Sequence, residues 1–318
     1  MKKHRGKLIT LTILISSATL IIHIINRIIA ASASLKEMLD LSDKSYYKWR
    51  FGEIYYTRHG KGKSPILLIH DTLAGSSGYD WNRIEKQLAT EYTVYTIDLL
   101  GFGRSEKPGI TYTNFLFVQM ICDFIKNVIG EKTDVIVSGL SSSFVTMACH
   151  NEKECFGKIM MVNPPRLASL NQTPSKKDKV LKYLLELPVF GTLIYHIVVS
   201  HETIQNKFIE NLYYDPFHLD EDLIDAHYES AHKGGFYAKN LYSSFAGKYL
   251  NLNIAHALKT IDNSIYIIEG EGEYNGKDIV EEYQKLNPAI EAAIIKKSKH
   301  FPYVENTQDF LEQVSVFF

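Results

Sequence analysis

The chain has 318 residues with 45% apolar and 22% charged side chains, enough material for a large core and too apolar for a disordered chain. Lys and Arg total 35 against 36 Asp and Glu, and a net charge of −1 argues against a partner bound by phosphate neutralisation, so no nucleic acid is expected. That total conceals an asymmetry: Lys2, Lys3, Arg5, Lys7 and Arg27 stand in residues 1–33 without a carboxylate, leaving 30 basic against 36 acidic residues for the rest.

After the basic start, Leu8 to Ala31 is apolar over about 24 residues, which as a helix reaches about 36 Å and can cross a bilayer core of about 30 Å. An uncleaved N-terminal membrane anchor is the first expectation. His23, Asn26 and Arg27 interrupt its last third, and Ala31-Ser32-Ala33 has the small-x-small form of a signal-peptidase site, so a cleaved signal is the second; an interfacial or buried helix is the third. The positive-inside rule keeps the basic cluster cytoplasmic and places the remainder of the chain outside.

From Tyr46 onward, short apolar runs alternate with helix-like stretches, the pattern of a mostly parallel sheet covered by helices on both faces. Trp49 to Thr57, followed by Gly60-Lys61-Gly62, reads as part of an antiparallel pair. Buried strands are expected at Ile66–Ile69, Val94–Ile97, Val135–Val137, Ile159–Val162, Ile265–Ile268 and Ala293–Ile295. Residues 164–263 carry no comparable strand signal; Pro188, Pro216 and Gly234-Gly235 punctuate helical periodicity there. The expected organisation is a leader at 1–33, a first core part at 34–163, a helical lid at 164–263 over the carboxyl ends of the strands, and a second core part at 264–318. Cys122, Cys149 and Cys155 show no metal-ligand spacing and read as small buried hydrophobes.

Val135-Ile136-Val137-Ser138-Gly139-Leu140-Ser141-Ser142-Ser143 runs from a strand through small residues into an apolar helix. A nucleophile elbow needs small neighbours two residues either side of a strained nucleophile, and the frame Gly139-Leu140-Ser141-Ser142-Ser143 meets that need with serine in place of the second glycine. With Ile66-Leu67-Leu68-Ile69-His70 before Gly75-Ser76-Ser77, Asp98-Leu99-Leu100-Gly101-Phe102-Gly103-Arg104-Ser105 after the next strand, and the late His300-Phe301-Pro302, the chain from Tyr46 to Phe318 resembles the α/β-hydrolase fold family, in its helical-capped serine hydrolase group.

The resemblance implies Ser141 as nucleophile and His300 as general base. It implies a triad acid after the strand at 265–268, where Gly270-Glu271-Gly272-Glu273 puts Glu273 in the usual Asp position, with Glu271 and Asp278 as alternatives. The oxyanion hole is expected from the backbone N–H groups of Ser142 and Thr72, with Leu73 in reserve, although Asp71 stands where the family usually has glycine. A carboxylate there opposes a developing oxyanion unless it is turned outward or paired. The expected activity is hydrolysis of a small apolar acyl or aryl ester, with C–C cleavage or transesterification as variants and no metal or organic cofactor required. The rival from another class is a membrane-tethered, non-catalytic binding protein on the same scaffold, since Asp71, Ser143 and Glu273 all depart from the usual pattern. Oligomeric state is not readable from these residues.

Overall fold

The computed structural model describes residues 2–39, 45–62 and 64–318, with side chains from Thr12 onward; the leader's basic residues Lys2, Lys3, Arg5 and Lys7 are therefore described as backbone only. Eight strands form one sheet: β1 (Ser45–Trp49), β2 (Gly52–His59), β3 (Pro65–Ile69), β4 (Thr93–Ile97), β5 (Thr133–Ser138), β6 (Phe156–Val162), β7 (Ile265–Gly270) and β8 (Glu291–Ile295). Their spatial order is β1-β2-β4-β3-β5-β6-β7-β8, with β2 antiparallel to both its neighbours and every pairing from β4 through β8 parallel.

Helices fill the connections. They are α1 (Lys2–Ala33), α2 (Asn82–Leu88), α3 (Asn114–Phe124), α4 (Ser141–Asn151), α5 (Leu167–Leu170), α6 (Lys176–Glu186), α7 (Phe190–Val198), α8 (His201–Lys207), α9 (Glu221–His232), α10 (Ala238–Ala246), α11 (Ala255–Thr260), α12 (Gly276–Leu286), α13 (Pro302–Glu305) and α14 (Thr307–Phe317). Helices α5 to α11 all lie between β6 and β7 and contain no strand, matching the long stretch without strand signal.

The period-2 alternation of the strands builds two cores, one on each sheet face. Leu67, Ile69, Val135, Val137, Ile159 and Met161 face one side and pack with Phe117 of α3, Phe144 of α4 and Tyr283 of α12. Ile66, Leu68, Val94, Ile136, Met160 and Val162 face the other and meet Ile84 and Leu88 of α2 and Phe310 and Val314 of α14. β3 and β4 are buried along their whole length, so each of their large apolar side chains contributes about 1.5–3 kcal/mol. This two-sided burial fixes the register, because a one-residue slip would exchange the two cores.

Sheet register brings the carboxyl ends of β3, β5, β6 and β7 to one edge, where the functional residues gather. The loop after β4 is fastened by Asp98, whose carboxylate accepts from Arg104 Nε at 2.7 Å, Arg104 Nη2 at 2.9 Å and the Gly78 N–H at 2.6 Å. Both members of that ion pair are buried, and it is hydrogen-bonded on every side.

Candidate active site

The turn after β5 places each residue of the expected elbow. β5 continues through Ser138, and the residue with left-handed backbone is Gly139 at φ +56°, after which Leu140 and Ser141 are already helical. The strained position that a family nucleophile occupies is thus Gly139, two residues before Ser141. Ser141 starts α4, is fully buried, and its Oγ donates to the His70 carbonyl oxygen at 2.7 Å, not to His300. Ser142 is likewise displaced: its N–H bonds the Gly139 carbonyl oxygen at 3.1 Å as part of the first helical turn. The N–H following the elbow belongs to Leu140.

Asp71 takes the space a side chain on Gly139 would need. A Cβ on Gly139 would lie 2.0 Å from Asp71 Cγ and 2.2 Å from each carboxylate oxygen. Asp71 Oδ1 accepts from the backbone N–H of Thr72 at 2.6 Å and of Leu140 at 2.8 Å. Those are the two kinds of N–H, one from the loop after β3 and one next to the elbow, that make an oxyanion hole. The N–H groups of Thr72 and Leu140 thus converge on Asp71 Oδ1, and that of Ser142 does not join them. Leu73, the alternative donor, lines the adjoining cavity.

His300 bridges two carboxylates. Its Nε2 lies 3.0 Å from Asp71 Oδ2 and its Nδ1 lies 3.0 Å from Glu273 Oε1. An imidazole with a carboxylate on each nitrogen carries two protons, and although burial opposes the charge, Asp71 and Glu273 raise its pKa to about 10. Asp71 also pays for burial, but hydrogen bonding to His300, the charge of His300 and the Thr72 and Leu140 N–H groups leave its pKa below the usual carboxylate value. The alternative acids are elsewhere: Glu271 accepts from the Lys297 N–H at 2.9 Å, and Asp278 is in the first turn of α12.

The His300 loop is held by Asn163, a residue with φ +47° at the end of β6. Its Nδ2 donates to the carbonyl oxygens of Lys299 and His300 at 2.9 Å each, and its Oδ1 accepts from the Gly270 N–H at 2.9 Å. Gly270 must be glycine, because a Cβ there would lie 2.0 Å from the Lys299 carbonyl oxygen. One amide side chain thereby ties β6, the acid turn after β7 and the histidine loop together. His70 has a supporting role: its Nε2 accepts from the Leu99 N–H at 3.0 Å, so Nδ1 bears the proton and donates to the Asp71 carbonyl oxygen at 2.5 Å.

Asp71 and Asn163 were not singled out for function from sequence. The signal for Asp71 was its place after His70, where an unpaired carboxylate is untenable; the pairing that makes it tenable is long-range and invisible in the chain. Beside the site, Thr72 and Leu73 meet Phe102, Tyr195, Leu241 and Tyr242 in an apolar cavity of about 20 Å3, room for one or two waters. Among the described residues no cluster of His, Cys, Asp or Glu is arranged to hold a metal ion.

Residues 66–313 match the model of the alpha/beta hydrolase family. The chain is 35% identical over 127 residues to the 2-hydroxy-6-oxo-6-(2'-aminophenyl)hexa-2,4-dienoic acid hydrolase of Metapseudomonas resinovorans, covering 34% of this chain and 43% of that one. It is 37% identical over 71 residues to a haloalkane dehalogenase of Agrobacterium fabrum, 22% of each. These alignments span less than half the length of either relative. A membrane phospholipase A of solved structure superposes with a TM-score of 0.67 over 98% of this chain and 97% of its own, at 18% identity, a likeness of fold. The match over most of the chain, on a sheet with this strand order, shows that the protein belongs to the alpha/beta hydrolase family.

Proposed function

We propose that the chain is a membrane-attached hydrolase whose reaction is carried by Asp71, His300 and Glu273, with the Asp71 carboxylate in the place of the family's usual nucleophile. The observation that supports it is a single constellation: Oδ1 of Asp71 held by two backbone N–H groups, Oδ2 facing His300 Nε2, and no side chain at Gly139. A carboxylate held by one oxygen presents the other as nucleophile.

In the first step Oδ2 attacks a saturated carbon bearing a leaving group, which departs with the bonding pair from the opposite face, and an alkyl ester of Asp71 forms. Esterification removes the negative charge that raises the His300 pKa, so the imidazolium releases a proton to solvent and becomes a base. A water between Nε2 and Asp71 Cγ then gives its proton to His300 as its oxygen attacks Cγ. The resulting oxyanion is on Oδ1, already faced by the Thr72 and Leu140 N–H groups. Collapse breaks the Cγ–O bond to the alkyl group; the alcohol leaves with the proton from His300, and the carboxylic acid left at Asp71 passes the water's second proton to Nε2, which restores the carboxylate–imidazolium pair. Glu273 holds the imidazole and supports its charge throughout. The partial match to a haloalkane dehalogenase suits displacement at saturated carbon.

Substrate entry requires the helices over the site to move, because the cavity beside it holds only one or two waters. Attachment is assigned to α1: Thr12–Ala33 is long and apolar enough to cross a bilayer and is almost entirely uncovered by the rest of the protein. On the positive-inside rule the catalytic part is outside.

The test is a trapping experiment. His300→Gln and wild type are exposed to 1,2-epoxyoctane, 1-bromohexane and 4-nitrophenyl butyrate, followed by intact-mass measurement and peptide mapping. A stable adduct on Asp71 in the variant, absent from wild type, is expected. An adduct on Ser141, or wild-type labelling there by a fluorophosphonate, would instead support ester cleavage by Ser141, His300 and Glu273, for which Ser141 Oγ must leave the His70 carbonyl. The non-catalytic binding reading is favoured by the closed Asp71–His300 pair, and it predicts neither adduct nor turnover with any probe.

A further inference from the structure

A second cavity, of about 500 Å3, lies between α1 and the helical insertion, away from the Asp71 site. α1 contributes Asn26 and Arg27, and the insertion contributes Val189, Thr192, His196 and Phe236. Two of these polar side chains are more than nine-tenths buried and have no hydrogen-bond partner: Asn26 Oδ1, on a residue 7% exposed, and His196 Nδ1, on a residue 8% exposed. An unpaired buried polar atom has lost its hydration without compensation, a cost that a ligand hydrogen-bonded to it would remove. Arg27 makes no ion pair among the described residues. His196 cannot swing away freely, because its ring stacks on His232 at 4.9 Å with an interplanar angle of 7°.

The surroundings are apolar on one side. Ile24, Ile25 and Ile28 of α1 and Phe190, Ile194 and Ile197 of α7 are all exposed, so an uncovered apolar surface continues from the span onto α7. The position is not left to a flexible tether: Lys36, just beyond α1, pairs with Asp225 of α9, and the Met38 N–H donates to Glu229 Oε2 at 2.7 Å. With about 1.5 Å of rise per residue, Asn26 and Arg27 lie about 10 Å from the Ala33 end of the helix, in the last third of the span Thr12–Ala33. From there an arginine side chain reaches the headgroup zone.

Resting on the reading of α1 as a membrane segment, we infer that this cavity is a binding site for a single anionic phospholipid. Its phosphate is met by Arg27, its glycerol ester region by Asn26 and His196, and its acyl chains lie along the exposed isoleucines of α1 and the apolar face of α7. The recognised chemistry is a headgroup of net negative charge joined to an apolar tail; a choline headgroup carries the same phosphate, but its cation stands against Arg27. α7 carries Tyr195 on the cavity beside Asp71 and His196 on this one, so a bound lipid grips a helix that both cavities share.

The test uses the full chain, delipidated in detergent and titrated with phosphatidylglycerol or phosphatidylcholine, with bound lipid counted by native mass spectrometry. Wild type should retain phosphatidylglycerol at least tenfold more tightly; Arg27→Gln should lose that preference, and His196→Leu should weaken both lipids. Equal retention of the two lipids by wild type, an unchanged preference in Arg27→Gln, or unchanged retention of both lipids by His196→Leu overturns the site. Displacement of the lipid by millimolar glycerol 1-phosphate would make the ligand a soluble anion and overturn it as well. Flotation with phosphatidylcholine vesicles separates the underlying reading: a chain that does not float loses both the anchor and the site, whereas one that floats without lipid preference loses the site alone.

Discussion

Replacing Asp71 by Asn keeps the shape of the site and removes one charge, which makes its effect on His300 calculable. The two groups are 3.0 Å apart, and at an effective dielectric of about 20 a pair at that separation interacts by at most about 5.5 kcal/mol, equivalent to about 4 pKa units. The carboxamide still hydrogen-bonds, so part of this is retained, and His300 should fall from about 10 by roughly 2–3 units into the range of pH 7–8. Titration of 15N-histidine-labelled protein by NMR reads this shift directly. It also has a thermodynamic counterpart. The folded pKa of His300 exceeds its unfolded value of about 6.5, so the associated stabilisation, roughly 5 kcal/mol at most, is complete below pH 6.5 and is lost as pH rises toward 10. For Asp71, whose folded pKa is lowered, the same interaction is present above about pH 4 and lost as pH falls through the folded value; it is counted once. Urea denaturation of Asp71→Asn should therefore show a decline in stability that begins near pH 6.5, as in wild type, but ends at lower pH and is smaller in total. An imidazole that titrates near 6.5 in wild type, or one that is unmoved in Asp71→Asn, would refute the bridged-imidazolium reasoning.

Ser141→Ala should cost about 1 kcal/mol of stability through the lost bond to the His70 carbonyl, measured by urea denaturation, while leaving adduct formation on Asp71 intact. Gly139→Ala should be far more damaging, because the left-handed backbone alone costs about 1–2 kcal/mol and the new methyl group lands on Asp71; calorimetry should show a lower Tm and NMR a displaced His300. The double variant Gly139→Ser with Asp71→Gly puts a hydroxyl at the elbow and empties the space it needs, and should acquire fluorophosphonate labelling at position 139 that wild type lacks. Glu269 is 1% exposed with neither carboxylate oxygen paired, and burial, aided by Glu273, pushes its pKa up to about 9, so its ionisation is a penalty that grows from pH 4.5 to 9. Glu269→Gln should be about 2–4 kcal/mol more stable than wild type at pH 8, with the difference vanishing near pH 4.

The fold was legible because its evidence is local. Runs such as Ile66–Ile69 and Ile265–Ile268 announce two-sided burial, and the strand-poor stretch between β6 and β7 announces the helical insertion. His300 and Glu273, which the family resemblance put together, lie 3.0 Å apart because both sit in turns that follow strands at the same edge of the sheet. The elbow was not legible: the five residues from Gly139 to Ser143 satisfy the small-residue requirement, whereas the frame from Val137 to Ser141 opens on a valine, and only the extent of β5 through Ser138 and the sign of φ at Gly139 place the turn there. Asp71 was read as an obstacle because its partners, Leu140 and His300, are 69 and 229 positions away. Asn163 carries no signal in the sequence, since its use as a clasp depends on the end of β6, the turn after β7 and the histidine loop meeting.

The shared volume of Asp71 and Gly139 has a consequence for descent. A hydroxyl-bearing residue cannot appear at 139 while the carboxylate occupies its place, and loss of the carboxylate alone leaves neither reactive group. Both single steps are worse than either endpoint, so positions 71 and 139 form a valley between two chemistries that a lineage crosses only by a paired change or through an inactive ancestor. Relatives of this chain should accordingly fall into two groups, with the intermediate combinations scarce.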